Sequence, residues 1–451
     1  MLKKFRTQAF ATVALSGLLA ISGCEESQFP EATGKGSLRG INAIISAPEV
    51  RYMIEESTSS RVPLGFKDTT TFRFDDLSYA VNFDVQLAGD VTLTRIATAS
   101  VDVVANTAYV FALTGTLASP VVLQLEYPER QWTGNETVFE GRALHLSTTA
   151  GELDVYYAAP GTAPVLGNAR ASIGFGEISP AFEPTAGDYE LILTTHDDPT
   201  DVRYRSRTIT QGAATSVIYS VFDPDPSITG NLSVRVMATT GGGAELADND
   251  SPPEIRVMHA AFGTGNTDVY VDDDFTATFV SDLAFGEVSP YLGFTADDTP
   301  MTFTPTGDPG VLLLEDSLTV FPGTLDTVFL VGDPAELDII AIQNNPRPIE
   351  TTGRVRLVNL ADNSDLFDVY IHGASDLLPD IFPSFISLPF RSTTGYLNRD
   401  DDSYVITITE AGEKVAVAPP LSLDLALGDV VDLAILDTAD PNVFDLVIYG
   451  N

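Results

Sequence analysis

Ile255-Arg256-Val257-Met258-His259-Ala260, then Asp268-Val269-Tyr270-Val271, then Leu283-Ala284-Phe285-Gly286-Glu287-Val288-Ser289-Pro290-Tyr291 is the stretch on which the fold turns. The first two runs are short, rich in β-branched and aromatic residues and bounded by turn formers, as strands are. In the third, Gly286 supplies backbone freedom and Pro290 stops a ladder. The pattern recurs along the chain. A second copy carries Arg142, His145, Asp154-Val155-Tyr156-Tyr157 and Phe175-Gly176-Glu177-Ile178-Ser179-Pro180. A fourth carries Arg356, Asn359, Asp368-Val369-Tyr370-Ile371 and Phe390 to Tyr396. The first is the most worn, with Arg39, Asn42, Tyr52, Phe66 and Phe72.

Spacing supports the repeat. Arg39, Arg142, Arg256 and Arg356 precede Tyr52, Tyr156, Tyr270 and Tyr370 by 13, 14, 14 and 14 residues. Each copy closes with two β-rich runs around a polar turn, as in Asp326-Thr327-Val328-Phe329-Leu330-Val331 and Leu337-Asp338-Ile339-Ile340-Ala341-Ile342. Helical periodicity is hard to find after the first 24 residues. The expected fold is all-β: four tandem β-sandwich modules, immunoglobulin-like or transthyretin-like, in an elongated array. The expected segments are a signal peptide at 1–23, a tether at 24–36, and modules at 37–133, 138–243, 253–345 and 350–451. Trp132-Thr133-Gly134-Asn135, the Gly-rich stretch from Thr239 to Pro253, and Asn344-Asn345-Pro346-Arg347-Pro348 would join them, with proline stiffening the joints.

Composition narrows the class. The 451 residues hold 63 acidic and 24 basic side chains, a net charge of −39. Yet 44% of residues are hydrophobic, which sets the chain apart from disordered sequences of similar charge. Such acidity disfavours nucleic acid and anionic membrane surfaces as partners. One cysteine excludes an internal disulfide.

That cysteine is Cys24. Lys3, Lys4 and Arg6 precede an apolar stretch from about Ala9 to Ile21, too short to span a bilayer but suited to a secretory signal. The stretch ends Leu19-Ala20-Ile21-Ser22-Gly23-Cys24, which resembles the bacterial lipobox, where the thiol is diacylated and the chain is cut before it. An ordinary signal peptide with an incidental cysteine is the plainer alternative. Glu25 rather than Asp follows, which by resemblance to enterobacterial sorting favours the outer membrane. Cleavage removes three of the 24 basic residues and no acidic one, so 21 basic face 63 acidic residues and the charge becomes −42.

The series from Arg256 to Tyr291 also resembles the bacterial domain-of-unknown-function family 4397. The match is specific in the third copy, good in the second and partial in the fourth, where the run from Phe390 to Tyr396 keeps only its two aromatics; the first rests on period. The resemblance implies a secreted or cell-surface, β-rich protein. It carries over no catalytic or binding residue.

Candidate chemistry is sparse. His145 and His259 share one place in their copies, inviting a metal or general-base role. Asn42 and Asn359 stand there in the other two, and an amide hydrogen-bonds much as a neutral imidazole does, so a structural bond is the expected role. His196 and His372 have no partners at ligand spacing. The motif tyrosines are expected to pack in the cores rather than form a binding strip. Ser179 and Ser289 lack the setting of a nucleophile. Gly34-Lys35-Gly36 follows no strand and is no phosphate loop. Asp197-Asp198, Asp223-Pro224-Asp225, Asp248-Asn249-Asp250, Asp272-Asp273-Asp274, Asp297-Asp298 and Asp400-Asp401-Asp402 offer hard oxygen ligands for Ca²⁺, but at no calcium-loop spacing. Aspartate as a turn former is the plainer reading.

Sequence alone therefore points to a non-enzymatic protein without a cofactor, held in the cell envelope by lipid on Cys24 and serving as a spacer or an interaction and adhesion module. Its partner, an envelope or extracellular protein or glycan, is not legible, nor is the face of the membrane it occupies. The alternative is a surface lipoprotein that binds a glycan or small ligand, with calcium assisting.

Overall fold

The computed structural model describes residues 32–224, 232–238, 243–295, 297–363 and 366–450. The signal peptide 1–23, Cys24, residues 25–31 of the tether, Asp225 and the Thr239-Thr240-Gly241-Gly242 part of the middle joint lie outside them. Among the described residues the regular structure is strand, apart from one 3-10 turn at Leu378–Asp380.

The third repeat shows the plan. Glu254–His259 runs parallel to Leu325–Val331, which pairs antiparallel with Asp338–Gln343, and Leu292–Gly293 flanks the first strand. A second sheet joins Val280–Leu283, Thr267–Val271, Asp297–Pro305 and Leu314–Val320, all antiparallel. The two sheets share one core, with Ile255 and Val257 of the first meeting Val269, Met301 and Phe303 of the second. A parallel pair needs a long crossover. Here the second sheet is that crossover.

The same order recurs. Lys35–Asn42 runs parallel to Thr107–Thr116, Glu140–His145 to Ser216–Phe222, and Gly353–Asn359 to Val430–Asp437. Each stretch adds a second sheet and a core of its own, so the chain is several β-sandwiches in series.

The Phe-Gly motif folds as an edge to each first strand. Gly286 N–H donates to His259 O at 2.8 Å, and Gly176 N–H to His145 O at 2.8 Å. Lys67 and Arg391 take the same place, donating to Asn42 O and Asn359 O, each at 2.8 Å. All four are left-handed, with φ of 81°, 78°, 68° and 62°. The turn thus survives where glycine does not, at the steric cost a Cβ brings there. The serines of the motif close it: Ser289 Oγ accepts from Val257 N–H and Ser179 Oγ from Ala143 N–H, both at 2.9 Å. Thr394 does so for Leu357 at 3.1 Å.

Candidate functional site

Alternation along a strand sends successive side chains to opposite faces. On Glu254–His259, Ile255 and Val257 enter their own core while Arg256 and Met258 face outward. Those outward faces are not solvated. Met258, Ala260, Phe329 and Val331 of the third sandwich pack against Val358, Leu360, Ala434, Leu436 and Tyr449 of the fourth. The first and second pair likewise, Ile41, Val110 and Ala112 meeting Leu144, Ile218 and Phe222. The sandwiches are therefore joined two by two through broad faces. The sequence reading foresaw only their joining through linkers.

The repeated arginine sits in these faces. Arg256 donates through Nε to Thr327 Oγ1 at 2.8 Å in its own sandwich. Across the boundary it donates through Nη1 to Tyr449 O at 3.1 Å, and its Nη2 lies 3.3 Å from Asp432 Oδ2. Arg356 answers from the other side, donating to Asp432 Oδ1 at 2.9 Å and to Gln343 O of the third sandwich at 2.9 Å. Its guanidinium also lies 4.6 Å from the Tyr396 ring centre, a cation–π distance. In the first pair Arg142 stacks 4.9 Å from the Tyr127 ring centre, and Arg39 donates to Ala238 O. Arg142, Arg256 and Arg356 thus reach the last strand of the sandwich opposite and Arg39 the next to last, a reciprocity like that of an isologous interface.

The joint between the third and fourth sandwiches is part of this network. Asn344 is buried and donates to Tyr291 Oη at 2.7 Å and Thr327 Oγ1 at 2.8 Å, and accepts from Arg356. Arg347 donates to Ala47 O of the first sandwich at 3.0 Å and to Ile45 O at 2.6 Å.

His259 and His145 are fully buried, and each donates through Nε2 to a carbonyl at 2.7 Å, of Gly265 and Gly151. Nδ1 of His259 accepts from Ala261 N–H at 3.3 Å. Asn359 repeats both bonds, donating to Leu388 O at 3.2 Å and accepting from Ala361 N–H at 3.1 Å; Asn42 does so with Leu64 O and Ile44 N–H. Burial holds both histidines below their ordinary pKa, and the bond that Nδ1 of His259 accepts requires the neutral ring.

The aspartate two residues before Tyr156, Tyr270 and Tyr370 is a clasp between neighbouring segments. Asp268 accepts from Asp282 N–H at 2.8 Å and Gly307 N–H at 2.9 Å; Asp368 does so from Ser387 and Gly412 at the same distances. Asp282 and Ser387 are left-handed, at φ 54° and 55°, beside breaks in strand register that this carboxylate stabilises.

The motif tyrosines divide. Tyr52 lies in its core, 5.5 Å from the Phe83 ring centre, with Gly40 so close beneath that a Cβ there would fall 2.3 Å from the ring. Tyr156, Tyr270 and Tyr370 neighbour core residues Val155, Val269 and Val369 and so face the other way. The gap of 13 rather than 14 residues is the reason, since one residue reverses the face. Tyr52 is therefore not their counterpart; Tyr157, which hydrogen-bonds Tyr219 Oη at 2.9 Å within the core, plays its part in the second sandwich. Tyr370 lies under Lys414 Nζ, 4.7 Å from its ring centre, in a shallow hollow with Phe382, which is 93% exposed.

His196, set aside on spacing, does meet acids in space. Its Nδ1 lies 2.9 Å from Asp154 Oδ1, and its Nε2 is 3.5 Å from Asp197 Oδ2 and 3.8 Å from Glu152 Oε1. Among the described residues Asp154, His196 and Asp197 form a group able to hold a metal ion. Asp154 already accepts from Ser172 Oγ at 2.5 Å and Asp197 N–H at 3.0 Å, the clasp role seen in Asp268. The bond to Asp154 holds the imidazole above its ordinary pKa, so the group reads as an ion pair. Of the other acidic runs, Asp223 binds the 147–149 loop through Ser147, Thr148 and Thr149, and Asp274 caps Thr276. Asp272 and Asp273 are left-handed turn residues, each at φ 56°.

Comparison with known proteins gives one family match, over part of the chain. No curated protein matches the sequence. Among solved structures, the Bacillus anthracis TIE protein is 9% identical over 90% of this chain and 69% of its own, with a TM-score of 0.16, at which the likeness carries no argument. The family model of the domain of unknown function DUF4397 matches residues 253–370, from the first strand of the third sandwich to the second strand of the fourth, and that segment includes both arginines that share Asp432.

Proposed function

We propose that the chain is a non-enzymatic cell-envelope protein, anchored by lipid on Cys24 and serving as a stiff spacer that holds an interaction surface away from the membrane. The observation that carries this reading is how the repeated residues are used. The arginines pack sandwich on sandwich, the His and Asn side chains bind loops to first strands, and the aspartates clasp hairpins. What the repeats have in common goes into stiffness. Several acyl chains would make a durable anchor for a body too acidic to adhere by charge.

Labelled palmitate fed to cells that express the chain tests the anchor. Incorporation that is lost in Cys24→Ala, with release of that variant from the membrane fraction, supports it; equal membrane retention of both forms contradicts it. Protease added to intact and to lysed cells then distinguishes surface display from a periplasmic location.

A further inference from the structure

We propose that the cavity between the first and second sandwiches binds a small hydroxylated carboxylate, of the size of a uronic acid, through Arg39. This goes beyond the spacer reading and does not depend on the lipid. Arg142, Arg256 and Arg356 each meet a carboxylate: Glu140 at 3.4 Å, and Asp432 at 3.3 and 2.9 Å. Arg39, which holds the same place, forms no ion pair among the described residues. Its Nη2 donates to Ala238 O, and its Nη1 has no hydrogen-bond partner. Arg39 is only 2% exposed, and no carboxylate lies within ion-pair distance of it among the described residues. Lone buried charges of this kind are strongly disfavoured.

Arg39 lines a cavity of about 220 Å³. Thr71 lines it too, and its hydroxyl is a second buried group with no partner. At about 30 Å³ per water the space holds roughly seven waters, or an organic acid of similar bulk. Water could satisfy the hydroxyl, but it brings no counter-charge. A carboxylate brings both, and it fits the planar donor fork of a guanidinium. The acidic walls do not exclude it. Glu129 Oε1 accepts from Ser37 Oγ, while Oε2 lies 3.1 Å from Arg73 Nη1 without a hydrogen bond, and Glu140 is 3.4 Å from Arg142 Nε. These carboxylates, each beside an arginine, remain acceptors for ligand hydroxyls, which is why a hydroxylated acid suits the cavity better than a bare one.

The test is calorimetric titration of the full-length protein in detergent with sodium glucuronate, against glucose and sodium chloride at matched concentrations. The expected result is saturable binding of glucuronate alone, weakened at least tenfold in Arg39→Met. Thr71→Asp, which places a carboxylate beside Arg39 from within, is expected to abolish the response and raise the melting temperature. It also keeps the proposal open to refutation if Arg39→Met fails to fold. Absence of saturable binding in the parent protein overturns the proposal, as does a response to sodium chloride of equal size. An undiminished response in Thr71→Asp overturns it as well.

Discussion

Asp432 Oδ2 lies 3.3 Å from Arg256 Nη2, across the boundary between the third and fourth sandwiches. The other oxygen of the same carboxylate serves Arg356, so one buried anion compensates two buried cations from two sandwiches. Such a group stabilises little relative to an apolar replacement, but removing one partner is costly. Asp432→Asn should therefore destabilise the third and fourth sandwiches by about 3–5 kcal/mol. Denaturant unfolding checks this, and a loss below about 1 kcal/mol would show that solvent reaches the site.

The neutral histidines give a pH dependence of definite sign. Burial lowers the pKa of His145 and His259 in the folded state, while an unfolded histidine titrates near about 6.5. Below that pH the unfolded chain binds protons that the folded chain refuses, so their contribution is complete above pH 6.5 and falls away under it. His196 runs the other way: its folded pKa is raised, so its contribution is full below about pH 6.5 and is lost as pH rises above that through the raised folded pKa. His145→Asn with His259→Asn, copying Asn42 and Asn359, should keep the fold and flatten the loss of melting temperature between about pH 7 and 5. An unchanged slope would assign acid sensitivity to other groups.

Asp368 accepts two backbone N–H groups, of Ser387 in the strand Phe385–Pro389 and of Gly412 in the turn after Asp402–Glu410. Asp368→Ala strands both donors, at about 1–3 kcal/mol for a buried unpaired group. Amide exchange should accelerate most at Ser387 and Gly412. Uniform acceleration over the fourth sandwich would mean that the carboxylate supports the whole core rather than these two segments.

Much of the fold was legible from the repeat. Runs bounded by turn residues mark the strands, and Phe66, Phe175, Phe285 and Phe390 each precede a left-handed residue, although two of the four have lost glycine there. The equivalence of His and Asn also followed from chemistry alone. Tyr52 did not, because a gap of 13 against 14 looks trivial in sequence and reverses a side chain in space. The pairing of sandwiches left a fainter mark. Leu325–Val331 and Gly353–Asn359 are buried on both faces, whereas Leu314–Val320 alternates. Unbroken apolar runs such as Val328-Phe329-Leu330-Val331 announce a strand covered twice. The meeting of His196 with Asp154 was hidden because 42 residues separate them.

The central claim is that the repeat signature joins sandwiches in fixed pairs. The chain has one cysteine, Cys24, so a form beginning at residue 25 carries none and accepts spin labels at chosen sites. Pulsed electron–electron distance measurement between Asp316→Cys and Asp424→Cys, on exposed strand positions of the third and fourth sandwiches, is the most direct test. The account predicts a single narrow distance distribution that broadens when Asp432→Asn is added. A broad distribution in the parent protein would mean that the two sandwiches move independently and would contradict it.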